Sequence, residues 1–217
     1  MDFNNIGTYK LKADFYHMTD EDAAKIDKHF RAYVDKAYRT FVDLGSHALN
    51  RQHMMLGMQT EFGEIADAIK KNIAYNRPID VVNIKEELGD VIWYIACWYR
   101  CCGCEEIVNS QSTFAIASNS TEKAFNCTDL RHQEVFGCTI SDLLFYVQRT
   151  YTLHFEEPDS VLNFWLLVCK AFGLSADDMI RAMDLNINKL KVRYPEKFSD
   201  VLALDRDLDA EREVLEN

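Results

Sequence analysis

The sequence predicts an all-α protein that forms a single domain over residues 1–217. Two observations support this fold class. The chain contains only 3 Pro and 8 Gly, which suits long helices and is unlike a sandwich of many short strands. Apolar residues also recur at helical spacing along several segments. Hydrophobic residues make up 48% of the chain, so one buried core is expected.

The first helix is predicted to begin at Thr19, a capping residue followed by three acidic residues. Apolar residues at helical spacing extend this prediction to Gly45. A second helix carries apolar residues from Met55 to Ile73. We expect it to end before RPID, residues 77–80, because a proline disfavours helical backbone at the residue that precedes it.

A third helix is predicted from about Val82 to Arg100, with an end near Gly103. Residues 105–139 contain a segment rich in Ser, Thr and Asn, which is typical of a loop or a weakly formed element. Helical patterns return at residues 139–155 and 161–172. The pattern therefore predicts further helices in the second half of the chain.

The last long helix is predicted to start at Ser175, which forms a capping-box pattern with Asp178. It reaches Tyr194 and is stopped by Pro195. The tail from about residue 205 is acidic, and we expect it to be solvated.

Composition excludes several classes of partner. The net charge of −11 disfavours binding to nucleic acid and to anionic membranes. The longest apolar run, residues 91–99, is too short to span a bilayer, and the N-terminal segment lacks a signal-peptide pattern. Seven cysteines are an odd number for a disulfide framework, so free thiols are expected. A soluble cytoplasmic protein is therefore predicted.

The second and third predicted helices carry acidic residues at the same offset. On a helical wheel of about 100° per residue, Glu64 lies about 60° from Glu61. Asp90 lies about 60° to the same side of Glu87. Each pair borders the apolar stripe of its helix. If the two helices pack through these stripes, four carboxylates meet at one margin of the core.

Four neighbouring carboxylates would repel each other and raise each other's pKa. A divalent cation relieves this conflict, and carboxylate oxygens suit Mg²⁺, with Mn²⁺ as a second possibility. On the last long helix, Asn186, Lys189 and Arg193 share one face, as a polyphosphate ligand would require. Either acid pair alone would fit a solvated helix face. Both pairs together with the basic face favour a site for metal and phosphate.

Three segments in order resemble the MazG-like nucleoside triphosphate pyrophosphohydrolases, which are related to the dimeric dUTPases. They are EFGEIADAIKK at 61–71, KEELGDVIWYIA at 85–96 and NINKLKVRYPEKF at 186–198. These segments contain ExxE, ExxD and N-x-x-K-L-x-x-R-Y-P, the pattern of that family. The resemblance covers about 50–100 and 168–198.

The resemblance implies an all-α bundle with a dimeric core, present as a homodimer or a tetramer. It implies a hydrolase that converts an NTP or dNTP to the monophosphate and pyrophosphate with Mg²⁺. The implied catalytic residues and metal ligands are Glu61, Glu64, Glu87 and Asp90. The implied substrate-binding residues are Asn186, Lys189, Arg193 and Tyr194.

Two further residues are candidates for substrate binding. Tyr94 lies about 20° from Glu87 on the helical wheel, so its ring is a candidate for stacking on a base. Core packing is the simpler interpretation of this residue. Lys71 falls near the side of Glu64 and is a candidate phosphate ligand, or else an ordinary solvated lysine. His53 fits an exposed or capping position better than a ligand contact.

Other functions stay open at this point. About sixty residues, roughly 105–165, separate the ExxD helix from the N-x-x-K helix. A long insertion here is reminiscent of the dimeric dUTPases and favours a dUTP or dUDP hydrolase as an alternative. A non-catalytic helical oligomerisation module is another. A di-iron bundle is disfavoured, because the Glu-x-x-His pairs of such bundles are absent. The sequence does not define the preferred nucleobase.

Overall fold

The computed structural model describes residues 19–101, 172–204 and 206–216, together with Leu162, Trp165, Leu166, Val168 and Cys169. These residues form helices and contain no strand, so the all-α prediction is confirmed. The helices are α1 (Asp20–Tyr38), α2 (His47–Tyr75), α3 (Val81–Cys101), α4 (Ala176–Arg193), α5 (Asp200–Leu204) and α6 (Leu208–Glu216). The elements predicted at 105–139 and 139–155 lie outside the described residues.

The boundary between the first two helices differs from the prediction. Helix α1 ends at Tyr38, because the Thr40 hydroxyl and backbone N–H both donate to the Ala37 carbonyl and close the last turn. Helix α2 begins at His47, earlier than the apolar pattern indicated. The Asn50 side chain donates to Asp43 over 2.8 Å and accepts from the backbone of Leu44 over 2.8 Å. These hydrogen bonds hold the connecting loop against the start of α2.

The predicted helix starts and stops are otherwise confirmed by hydrogen bonds. Thr19 and Ser175 each form a reciprocal capping box with the residue three positions on. Helix α2 ends at Tyr75 and is followed by Asn76, a C-cap that adopts left-handed backbone with φ of 50°. The Asp80 carboxylate then accepts from the backbone N–H groups of Val82 and Asn83 at 3.0 and 3.2 Å and caps α3.

The core lies where α3 packs against α1, α2 and α4. It contains fully buried apolar side chains from each of these helices, among them Ile26, Met58, Ile65, Leu88, Ile95 and Met183. The described residues between 162 and 169 are helical and buried. Trp165 Nε1 donates to the carbonyl of Leu88 over 2.8 Å, so the segment after the insertion packs directly on α3.

The acidic tail is only partly solvated, which corrects the expectation from sequence. Helix α6 packs on α4, and its residues Glu211 and Leu215 are buried. The physical reason is charge compensation: the Glu211 carboxylate binds two arginine side chains, which offset the cost of its burial. Among the described residues, no helix has the length and apolarity to cross a membrane.

Candidate metal centre and active site

Three of the predicted carboxylates meet between α2 and α3. Glu61, Glu87 and Asp90 each place a carboxylate oxygen within 4.8 Å of the other two. The apolar stripes of α2 and α3 pack together and leave these side chains at the edge of the core, half-buried. Glu64 lies outside this cluster and is exposed, although it lines the same cavity. The acidic cluster therefore consists of three residues, with Glu64 at its margin.

Burial and repulsion within the acidic cluster favour the protonated form of its carboxyls in the absence of a cation. Carboxylate oxygens of Glu61 and Glu87 lie within 4.8 Å of each other, so their negative charges would repel if both groups were ionised. Burial and the nearby Asp90 raise the pKa of Glu87 to about 9. Burial, followed by the Asp90 charge, also raises the pKa of Glu61. Neighbouring negative charge and partial burial therefore disfavour ionisation of all three carboxyls at once.

This donor set fits a hard divalent cation. Three carboxylates at one point supply the oxygen ligands that Mg²⁺ and Mn²⁺ prefer. A cation would also remove the repulsion that keeps Glu87 protonated. The chemistry of Glu61, Glu87 and Asp90 therefore matches the metal site predicted from the sequence.

Helix α4 supports Asp90 from the side of the core. Asn186 Nδ2 donates to Asp90 Oδ1 over 2.6 Å, and Asn186 Oδ1 accepts from the Tyr33 hydroxyl over 2.8 Å. Lys189 Nζ donates to Asp90 Oδ2 and, over 3.2 Å, to Glu86 Oε1. Both oxygens of Asp90 are thereby fixed by α4, which orients the carboxylate toward the acidic cluster.

Lys189 differs from the expected phosphate ligand. Its side chain is only 1% exposed and does not line the cavity, and its ammonium is engaged by Asp90 and Glu86. Burial lowers the pKa of Lys189, but the two carboxylates outweigh burial and raise it overall. Lys189 is therefore a charged structural partner of the acids. Asn186 is likewise buried and committed to Asp90.

Gly89 permits this contact between α3 and α4. A Cβ atom at Gly89 would lie 3.1 Å from the Ala182 carbonyl oxygen and 3.1 Å from Asn186 Cβ. The missing side chain lets the two helix backbones approach closely. As a result, Asn186 reaches the residue that follows Gly89, which is Asp90.

A cavity of about 520 Å³ opens over the acidic cluster. This volume is in the range of small-molecule sites. Carboxylates line one part of the cavity, and aromatic and basic side chains line the rest. The aromatic and basic lining residues are His53, Trp93, Tyr94, Arg193, Tyr194, Phe198 and Arg206.

Tyr94 lines the cavity, so stacking on a base stays a possible role beside the core packing that the sequence favoured. Its ring lies against Gly57, where an added Cβ would come within 2.1 Å of the tyrosine Cε1 atom. Trp93 beside it is held by hydrogen bonds from its Nε1 to Ala37 and Thr40. His53 also lines the cavity, contrary to the expectation of an exposed or capping position, and its Nδ1 atom has no hydrogen-bond partner among the described residues.

Of the remaining predicted substrate ligands, two line the cavity and one does not. Arg193 and Tyr194 line the cavity, but the Arg193 guanidinium also binds Glu211. Lys71 does not line this cavity, since its ammonium pairs with Asp67 beside a separate cleft. The geometry therefore gives no support to Lys71 as a phosphate ligand.

Sequence reasoning assigned no role to four residues of the site. Glu86 binds Lys189, and Asn83 Nδ2 donates to Glu87 over 3.1 Å. Asn83 lies four residues before Glu87, and Glu86 lies four residues before Asp90. This i, i+4 spacing to predicted metal ligands is a signal that the sequence contains. Glu211 and Arg206 come from the tail, and no periodicity connects them to the acidic cluster.

Comparison with known proteins agrees with this site. The family model of the MazG nucleotide pyrophosphohydrolase domain matches residues 49–124, which include Glu61, Glu87 and Asp90. The match confirms the resemblance and supports nucleotide pyrophosphohydrolase activity in general. No curated protein and no solved structure was found to match the chain.

Proposed function

Because residues 49–124 match the MazG nucleotide pyrophosphohydrolase domain, we propose that this protein hydrolyses a nucleoside triphosphate to the monophosphate and pyrophosphate. The observation that carries the proposal is the meeting of three carboxylates in a cavity that aromatic and basic side chains also line. Carboxylates suit the metal, basic groups suit the phosphates, and aromatic rings suit a base.

Glu61, Glu87 and Asp90 would hold Mg²⁺ or Mn²⁺, and Glu64, which lines the same cavity, would complete the set. The bound cation would neutralise the phosphates and lower the pKa of a water molecule. Arg193 would bind phosphate oxygens, while Asn186 and Lys189 orient Asp90. Tyr94 and Tyr194 would face the nucleoside.

The protein is proposed to act as a homodimer or a tetramer on free nucleotides of the cytoplasm. The dimeric core expected from the family resemblance motivates this assembly. Sedimentation of the purified chain across a range of concentrations would test it, and a monomer at every concentration would contradict it.

The activity is tested by a screen of common and modified nucleotides with MgCl₂, in which pyrophosphate release is measured. We expect release from at least one triphosphate, and its loss in Glu61→Gln. This variant keeps the size of the side chain and can still hydrogen-bond to Glu87, so the fold should persist. Circular dichroism of the variant checks that assumption.

Asp184→Asn is the matched control for this screen. It removes the same charge from an exposed carboxylate of α4 that pairs with His29 and does not line the cavity. Activity in Asp184→Asn should equal that of the parent chain. A screen in which no nucleotide is turned over, or equal activity in Glu61→Gln, would contradict the proposed function.

A further inference from the structure

A buried carboxylate of α6 holds two arginines together at the edge of the cavity. The Glu211 side chain is only 3% exposed. Its Oε1 atom accepts from Arg193 Nε over 2.8 Å, and its Oε2 atom accepts from Arg206 Nη2 over 2.7 Å. Arg193 Nη2 also donates to Oε2. One carboxylate therefore fixes two guanidinium groups that come from different parts of the chain.

Within the described part of the chain, Glu211 occupies only some of the N–H donors of the two guanidinium groups. Each guanidinium has five such donors. Two positive charges share one negative charge, so the group of three carries a net charge of +1. Arg206 is 39% exposed on its side chain, and both arginines line the cavity. An anion in the cavity can reach them.

The acidic cluster lines the same cavity. A ligand that contacts a cation at Glu61 and Asp90 as well as these arginines needs several anionic oxygens along its length. A polyphosphate chain meets this requirement. Arginine forms paired hydrogen bonds to phosphate oxygens in a geometry that lysine does not reproduce.

We propose that Arg206 is a phosphate-binding residue of this site and that Glu211 is a positioning residue that orients Arg206 and Arg193 toward the phosphates. The identity of the ligand as a polyphosphate rests on the proposed function. Without Glu211, the two guanidinium groups would repel each other and lose their common orientation. The C-terminal helix α6 thus becomes part of the substrate site.

The test measures binding of inorganic tripolyphosphate in the presence of MgCl₂ by isothermal titration calorimetry. Arg206→Ala should weaken binding about tenfold, which corresponds to about 1.4 kcal/mol. Arg206→Lys should recover part of the loss, because the charge is kept but the planar donor pair is lost. In steady-state kinetics, Arg206→Ala should raise KM more than it lowers kcat.

Arg212→Ala is the matched control. Arg212 also lies in the C-terminal segment, is 36% exposed on its side chain and pairs with Asp80 and Glu216, but it does not line the cavity. Its replacement should leave the affinity for tripolyphosphate unchanged. Equal loss of affinity in Arg212→Ala and Arg206→Ala, or no loss in Arg206→Ala, would overturn the role of Arg206.

The role of Glu211 is tested with Glu211→Gln at a temperature well below the melting temperature of the variant. Positioning predicts weaker binding of tripolyphosphate by the folded variant. A purely structural role would lower the melting temperature and leave the affinity unchanged, and this result, or tighter binding, would overturn the positioning role.

The two proposals can fail separately. If the parent chain binds tripolyphosphate through Arg206 but turns over no nucleotide, the proposed function fails and the phosphate site stands. If the parent chain releases pyrophosphate and Arg206→Ala has an unchanged KM, the function stands and the role of Arg206 fails.

Discussion

At the level of single residues, the site depends on how its charges are compensated. Asp90 forms an ion pair with Lys189 and accepts a hydrogen bond from Asn186, both from the core side. Burial and the charge of Asp90 raise the pKa values of Glu61 and Glu87, so full ionisation of these two carboxyls is disfavoured. This difference explains why three acids can stand beside the apolar run that follows Asp90. One is balanced within the fold, and the other two are suited to an external cation.

The raised pKa of Glu87 makes metal binding dependent on pH. The pKa of Glu87 is raised from 4.5 to about 9, so the metal-free folded protein keeps this proton at neutral pH. A cation must displace it, and affinity for Mg²⁺ or Mn²⁺ should therefore rise between pH 6 and pH 8.5, at about 1 proton released per cation. Calorimetry in two buffers of different ionisation enthalpy counts the protons released.

Glu87→Gln serves as the control for this prediction. The variant has no proton to release at this position, so its weaker metal affinity should change less with pH. The free energy of unfolding of the metal-free protein changes in the opposite direction. Because the fold disfavours ionisation of Glu87, this free energy should decrease as pH rises from 4.5 toward 9. Metal affinity that is constant between about pH 6 and pH 8.5 would contradict the raised pKa of Glu87.

At the level of helices, two glycines of α2 make a direct comparison possible. An added methyl at Gly57 would overlap the Tyr94 ring, with a separation of 2.1 Å, whereas nothing lies within 4 Å of the same position at Gly63. Gly57→Ala should displace Tyr94 and destabilise the protein by about 1–3 kcal/mol. Gly63→Ala should stabilise it by up to about 1 kcal/mol through helix propensity. Urea unfolding measures both changes.

The same pair of variants tests the placement of Tyr94 in the cavity. Gly57→Ala should alter the KM for the nucleotide, because the displaced ring lines the cavity, while Gly63→Ala should not. Equal stabilities for the two variants would show that the ring does not occupy the space over Gly57.

At the level of the whole molecule, Glu211 connects the C-terminal segment to the rest of the fold. Burial raises the pKa of Glu211, but its hydrogen bonds to Arg193 and Arg206 outweigh burial and lower the pKa from 4.5 to about 2. The stabilisation from this ionised carboxylate is therefore complete above pH 4.5 and is lost as pH falls toward 2.

Glu211→Gln should destabilise the protein by about 3 kcal/mol at pH 7, because two arginines lose a buried counter-charge. The difference from the parent chain should shrink as pH falls from 4.5 toward 2, where the parent carboxylate also becomes neutral. Urea unfolding at a series of pH values measures this difference. Arg212→Ala is again the control, and a difference that does not depend on pH would contradict the lowered pKa.

The sequence by itself determined the helical class, the capping boxes at Thr19 and Ser175, and the pairing of acids from α2 and α3. Each of these follows from helical periodicity or from hydrogen bonds between residues three or four positions apart, and such local geometry is encoded in spacing. The i, i+4 support of Glu87 by Asn83 belongs to the same class.

Only the tertiary structure decided which charges face the cavity. Lys189 and Arg193 lie on one face of α4, yet Lys189 is buried against Asp90 while Arg193 reaches the cavity and Glu211. A helical wheel gives the direction of a side chain and not its partner. The partner of a buried charge is chosen by the packing of distant segments, since burial is tolerated only where an opposite charge arrives from another part of the chain.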